Sequence, residues 1–120
     1  MTMLDANMIL RYLLNDSFEM AERAEQYIKT GDVIVSVEVV AEVVYVLKGV
    51  YRMERKEIAA AITSFLKLVA CRDMDVLCFA LDVYGENNLD FVDCVLYGYH
   101  MVEGIDIATF DQKLAKLMER

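Results

Sequence analysis

Between Phe18 and Lys29, the apolar residues Met20, Ala24, Tyr27 and Ile28 recur at helical spacing, which predicts one helix over that stretch. Glu54–Val69 carries the stronger pattern: Ile58, Ile62, Phe65, Leu66 and Val69 share a face with charge opposite. A shorter helix is expected over Met8–Leu14, broken by Asn15-Asp16-Ser17. Thr30-Gly31-Asp32 ends the helix that follows, and the β-branched run Val33-Ile34-Val35 reads as a buried strand. Ser36 is a good N-cap for a helix from about Val37 to Val50. Two further helices are predicted at Asp75–Gly85 and Phe91–Val102, the second with Asp90 as N-cap and Gly104 as its end. Residues 2–5, TMLD, and Ile105–Thr109 read as strands, Ala70–Asp73 as a weak one, and Asp111–Glu119 as a last helix.

Strands alternating with helices imply an α/β fold with a mostly parallel sheet covered on both faces. A length of 120 residues suits one domain, 1–120, with no repeat or linker in it. The hydrophobic fraction of 58% argues against disorder, and no stretch reaches the ~20 apolar residues of a membrane span. The start, MTMLDANMIL, has no basic region before its apolar residues, so no signal peptide and a cytoplasmic location are expected. Cys71, Cys78 and Cys94 are odd in number and lack CxxC spacing, which disfavours a disulfide framework or zinc–thiolate site and suits a reducing compartment.

Within VVAEVVYVLKG (39–49), Glu42 interrupts an apolar run, and a buried carboxylate is costly unless something pairs with it. Glu42 shares a helical face with Glu38, Tyr45, Gly49 and Arg52, so a solvated stripe is one explanation. Other acids fall at element ends: Asp5 after the first strand, Asp93 in the first turn of a helix, Asp111 after the last strand. Each has an ordinary explanation, as a cap or a charge favoured by a helix N-terminus. A shared explanation is a pocket beyond the carboxyl ends of parallel strands, where such sheets bind ligands. Four carboxylates sharing a pocket require a cation. Oxygen donors without His or Cys select Mg²⁺ or Mn²⁺, and the chemistry that fits is metal-assisted phosphodiester hydrolysis.

The segments MLDANMILRYLLND, VSVEVVAEVVYVL, NNLDFVDCVLYGY and IDIATFDQKL, in that order, resemble the PIN-domain family, and most of all its VapC-like toxin ribonucleases. The resemblance implies a Rossmann-like sheet of order 3-2-1-4 flanked by helices. Many members add a fifth strand after the last helix, whereas this sequence stops at Arg120. It further implies Mg²⁺ or Mn²⁺, RNA cleavage, and Asp5, Glu42, Asp93 and Asp111 as the catalytic acids, with Asp5 and Asp93 the direct metal ligands and Asn7, Ser36, Asp90 and Thr109 as accessories. Toxins of this branch are usually homodimers held by a helical VapB-like antitoxin, for which Leu13, Leu14, Tyr45, Val46 and Tyr51 are candidate surfaces.

The net charge of −8 speaks against nucleic acid taken alone, since phosphate binding is driven by Lys and Arg. The RNA must then be held by local basic groups. KGVYRMERK (48–56) supplies Lys48, Arg52, Arg55 and Lys56, as a phosphate-contacting rim or as a solvated turn. Arg11, Lys48 and Arg52 are the expected RNA or antitoxin contacts. His100 reads as an exposed or partly packed group near a helix C-terminus rather than a general base, and Tyr97 and Tyr99 as packing or interface groups. A haloacid-dehalogenase-like phosphatase needs a DxDxT nucleophile motif, which Asp5-Ala6-Asn7 breaks. A receiver-like phosphoacceptor domain needs an acid pair that Asp5 lacks. A PIN-like domain that binds RNA or protein without cutting is the remaining alternative.

Overall fold

The computed structural model describes residues 1–119. Among these, β1 (Thr2–Met3) is followed by α1 (Ala6–Leu14), α2 (Phe18–Lys29), β2 (Val33–Ile34) and α3 (Val37–Gly49). Then come α4 (Arg55–Leu66), α5 (Met74–Glu86), α6 (Phe91–Glu103) and α7 (Gln112–Met118). The helices follow the apolar periodicity. Ile58, Ile62, Phe65 and Leu66 of α4 are all buried, and so are Val40, Val43, Val44 and Leu47 of α3. They join Ile9, Val33, Leu77, Leu81, Phe91 and Leu114 in one apolar core. No helix of the described residues is long and apolar enough to cross a membrane.

The fold is α/β, but the sheet is far smaller than the sequence suggested. β1 and β2 pair in parallel, Thr2 opposite Val33 and Met3 opposite Ile34. Ala70 adds a single parallel bridge to Ile34. The amides of Thr2 and Leu4 bond to Asp32 and Ile34, whereas the Val33 carbonyl and the Val35 amide bond to Ala70. Ala70 therefore lies on the opposite side of β2 from β1. The expected strand at Ala70–Asp73 is reduced to this bridge.

The strand expected at Ile105–Thr109 does not form among the described residues. Gly104 takes φ +70° and closes α6, with its amide on the His100 carbonyl. Ile105 turns its amide back to Tyr99. Because Thr2 and Leu4 spend their amides on β2, Met3 alone faces the outer edge of β1. One residue is too little template for a ladder. Residues 105–110 run instead as an exposed segment in which only Ile107 and Thr109 are half-buried.

Helices α4, α5 and α6 pack in succession, and α7 closes against α6. Gly98 marks the closest approach of α5 and α6: a Cβ there would stand 2.9 Å from the Val76 carbonyl oxygen. At the other end of the pair, the Tyr84 ring of α5 packs edge-on against Phe91 at the start of α6.

Candidate functional site

Asp5 lies just beyond β1, and Ser36 just beyond β2, at the same end of the parallel pair. Each caps the helix it opens. The Asp5 carboxylate accepts the Met8 amide at 2.8 Å, and the Ser36 hydroxyl accepts the Val39 amide at 3.2 Å. Asp111 caps α7 in the same way, accepting the Leu114 amide at 2.8 Å. Thr109 braces that turn by accepting the Asp111 amide at 3.0 Å. A cap of this kind occupies one carboxylate oxygen and leaves the other for a ligand.

The start of α6 differs. Asp90 stands at the N-cap position but makes no side-chain capping bond. Its carboxylate accepts the Tyr45 hydroxyl of α3 instead, at 3.1 Å. Asp93, in the first turn, is half-buried. Burial first, then the nearby charges of Asp111 and Asp90, push its carboxyl above the ordinary aspartate range. A helix N-terminus favours a carboxylate, so burial and two like charges outweigh that benefit here. Tyr45 is likewise raised, by desolvation first and then by its bond to Asp90, with a smaller contribution from Asp93.

Asp90, Asp93 and Asp111 thus share one electrostatic neighbourhood, with Tyr45 as its neutral hydrogen-bond donor. Glu42 stands one turn ahead of Tyr45 on the exposed face of α3, alongside the exposed Glu38. It is a member of a solvated stripe and bears no burial cost. Asp5 and Asn7, both exposed, line a cavity of about 220 Å³ between α1 and α2, with Met8, Arg11, Met20 and Arg23. Another cavity, of about 280 Å³, lies where β2 and the Ala70 bridge end; Ser36, Glu38, Cys71, Arg72 and Asp73 line it. Neither is walled by Asp90, Asp93 or Asp111.

The donor chemistry suits a hard divalent cation: carboxylate groups, one of which, Asp93, is held above the ordinary aspartate range by burial first and then by like charges. None of these acids takes part in an ion pair among the described residues. Nor do those residues gather three or more His, Cys, Asp or Glu at metal-holding distance. Mg²⁺ takes one or two carboxylates and keeps several waters, so two acids of this group meet its needs without a closed cage.

The basic candidates divide. Arg11 is tied to Asp16, at 2.8 and 2.7 Å to its two oxygens, and reaches the Tyr51 hydroxyl at 3.4 Å. To contact a substrate, Arg11 would have to exchange these bonds. Lys48 and Arg52 are exposed, Arg52 in a left-handed backbone conformation at φ 55°. Arg55 is not part of a phosphate rim. Its guanidinium donates to the carbonyls of Tyr84, Asn87 and Leu89 at 3.2, 2.7 and 2.8 Å and stacks on the Tyr84 ring. Lys56 lies 3.9 Å from Glu86. Arg55 fixes the loop that leads into Asp90, a role with no local sequence signal because its partners lie 29 to 34 residues away.

His100 is a packed group, its Nδ1 2.8 Å from the Ile105 carbonyl. Tyr97 packs edge-on against Phe79, and Tyr99 donates to Asp73. Of the candidate partner surfaces, Tyr45 and Tyr51 are exposed, whereas Leu13, Leu14 and Val46 pack against the core. The three cysteines are free thiols, and burial pushes Cys94 up to about 12. The family model described as the PIN domain matches residues 2–119. Searches of curated proteins and of solved structures found no significant match.

Proposed function

The chain belongs to the PIN-domain family, and from that premise we propose that it is a divalent-metal-dependent endoribonuclease. The observation that carries the proposal is Asp93: a half-buried carboxyl, raised by burial, Asp111 and Asp90, with no cationic partner among the described residues. Asp93 and Asp5 are assigned as direct ligands of Mg²⁺ or Mn²⁺, with Asp111 and Glu42 acting on the water shell. Such an ion supplies a hydroxide near neutral pH and offsets charge on the phosphate during in-line displacement.

The protein's own groups prepare that site. Asp90 and Tyr45 hold α3 against the start of α6, so that Asp93 keeps its orientation. Thr109 holds the turn that presents Asp111. Asp5 is directed by its bond to the Met8 amide, with Asn7 and Ser36 beside the strand ends. Lys48 and Arg52, exposed at the end of α3, are available for phosphate.

The proposal extends to the toxin of a toxin–antitoxin pair, acting in the cytoplasm as a single-domain protomer of a homodimer. Of the residues expected at an antitoxin surface, Tyr45 and Tyr51 are the exposed ones. Light scattering after size exclusion reads the dimer directly.

The test is cleavage of labelled RNAs by purified protein in Mg²⁺, Mn²⁺ or EDTA, beside Asp5→Asn and Asp93→Asn. Cutting that requires metal and is lost in both variants is expected. Cutting that persists in both, or in EDTA, overturns the assignment. The second reading is a domain that binds RNA without cutting. Metal-independent RNA binding with no cleavage would establish it.

A further inference from the structure

Between the loop that precedes α6 and helix α7 lies a cavity of about 280 Å³ walled by Asn87, Asn88, Leu89, Lys113, Lys116 and Leu117. Its position ties it to the candidate site. Leu89 directly precedes Asp90, and Lys113 follows Asp111 by two residues. One wall is a rigid loop. Arg55 holds the Asn87 and Leu89 carbonyls at 2.7 and 2.8 Å, and Asn87 donates to the Val83 carbonyl at 3.0 Å. The other wall is α7. Lys113 and Lys116 are exposed and form no ion pair among the described residues; Lys113 makes only a long contact, 3.4 Å, to the Asn88 carbonyl.

The lining combines what a nucleotide requires. Buried Leu89 and half-buried Leu117 offer an apolar floor for a base. The exposed Asn88 carboxamide offers a donor and an acceptor for a base edge. Two ammonium groups stand on the side towards α7. The volume is close to the lower end of small-molecule sites, roughly 300 Å³. In a chain of net charge −8, two neighbouring lysines that form no ion pair among the described residues are a local place for a phosphate to dock.

We propose that this cavity is a nucleotide subsite for single-stranded RNA: Lys113 and Lys116 bind the phosphate next to the scissile one, and the base rests on Leu89 and Leu117 beside Asn88. The proposal deepens the ribonuclease reading and rests on it for the scissile position. The occupation of the cavity by RNA is tested separately.

Binding of a short fluorescein-labelled RNA of randomised sequence is followed by anisotropy in EDTA, where cleavage does not interfere. Lys113→Gln with Lys116→Gln is expected to weaken binding roughly tenfold at moderate salt and to flatten its salt dependence, as losing both lysine contacts to that phosphate should. The paired Lys→Arg variant restores both, and thermal unfolding of all three proteins coincides. In Mn²⁺, the Gln pair raises KM while kcat holds. Unchanged RNA affinity and salt slope in the Gln pair overturn the subsite, whether or not the protein cuts RNA. Equal weakening towards polyglutamate also overturns it, in favour of an acidic protein segment. Weakened RNA binding in a protein that never cleaves supports the subsite and sinks the nuclease reading instead.

Discussion

Asp5 and Asp111 open α1 and α7 with the same bond, an aspartate oxygen on the amide three residues on, at 2.8 Å in both. Asp90 holds the equivalent position on α6 and makes no such bond. It gives its carboxylate to Tyr45, and one turn on Asp93 is left half-buried among like charges. The first pair is explained by the needs of the fold alone. At the second, Asp93 bears an electrostatic cost that no ion pair among the described residues offsets, and such a cost points to function.

The sharpest way to break this contrast is Asp93→Asn. Cleavage should fall at least about a hundredfold, more than the loss of an outer-sphere partner, while the fold should be as stable or more so. The direction follows from linkage. A carboxyl whose folded pKa is raised contributes stability below its unfolded value and loses that contribution as pH rises through the folded one. The variant's gain in Tm over the parent should therefore grow across that acidic window and level off near neutrality. Mg²⁺ should raise the parent's Tm and leave the variant's nearly unmoved, since a ligand stabilises only the state that binds it. A variant that is less stable at neutral pH, with cleavage intact, would make Asp93 a structural residue after all.

Arg55→Ala tests what holds the α6 end together. It strands three carbonyls, two of them in the loop before Asp90, and removes the stacking on Tyr84. A loss of about 2–3 kcal/mol is expected in denaturant unfolding, given the strength of charged hydrogen bonds with a cation–π contribution. Arg55→Lys should recover only part of it, because an ammonium cannot stack on the Tyr84 ring as a planar guanidinium does. Full recovery by lysine would mean that the charged hydrogen bonds alone, and not the stacking on Tyr84, secure the loop.

How much of this was legible in the sequence depended on the range of the interaction. The helix Phe18–Lys29 forms over those same residues because its signal is local periodicity. Ser36 caps α3 because serine meets that need within three residues. Arg55 stood in a basic run and read as part of a rim, since nothing nearby reveals partners 29 to 34 residues away. The alternation in Ile105–Thr109 read as a strand, yet half-burial of Ile107 and Thr109 satisfies it without a ladder. Glu42 raised a question of burial that the structure removes, since the face it shares with Glu38 and Tyr45 is open to solvent. The acid types were readable from element ends. That Asp90 would forgo its cap for Tyr45 was not, because that choice depends on how α3 meets α6.

The capping pair allows a finer separation. Asn caps a helix about as well as Asp, whereas Ala costs about 1 kcal/mol. Asp5→Asn and Asp111→Asn should keep the unfolding midpoint of the parent, and the Ala variants should lower it by that amount. If the carboxylates also serve the site, activity falls in the Asn variants as much as in the Ala ones. Activity that instead follows stability, kept in Asn and reduced in Ala, would confine both residues to capping.

Tyr45→Phe is the mildest of these changes and addresses the one hydrogen bond that reaches the acid group from another helix. The phenol donates to Asp90 at 3.1 Å, and Tyr45 is 45% exposed. Removing the hydroxyl should therefore cost only about 0.5–1 kcal/mol, the net worth of an ordinary hydrogen bond. Its informative effect is on charge. Without that donor, the Asp90 anion is less well stabilised, and its repulsion of Asp93 is no longer moderated by a facing dipole. Metal affinity should shift by a few-fold, read as a higher Mn²⁺ concentration for half-maximal cleavage with the maximal rate retained. If the maximal rate drops instead and the metal requirement stays put, Tyr45 acts on the substrate and not through Asp90, and the α3–α6 bond is only a scaffold.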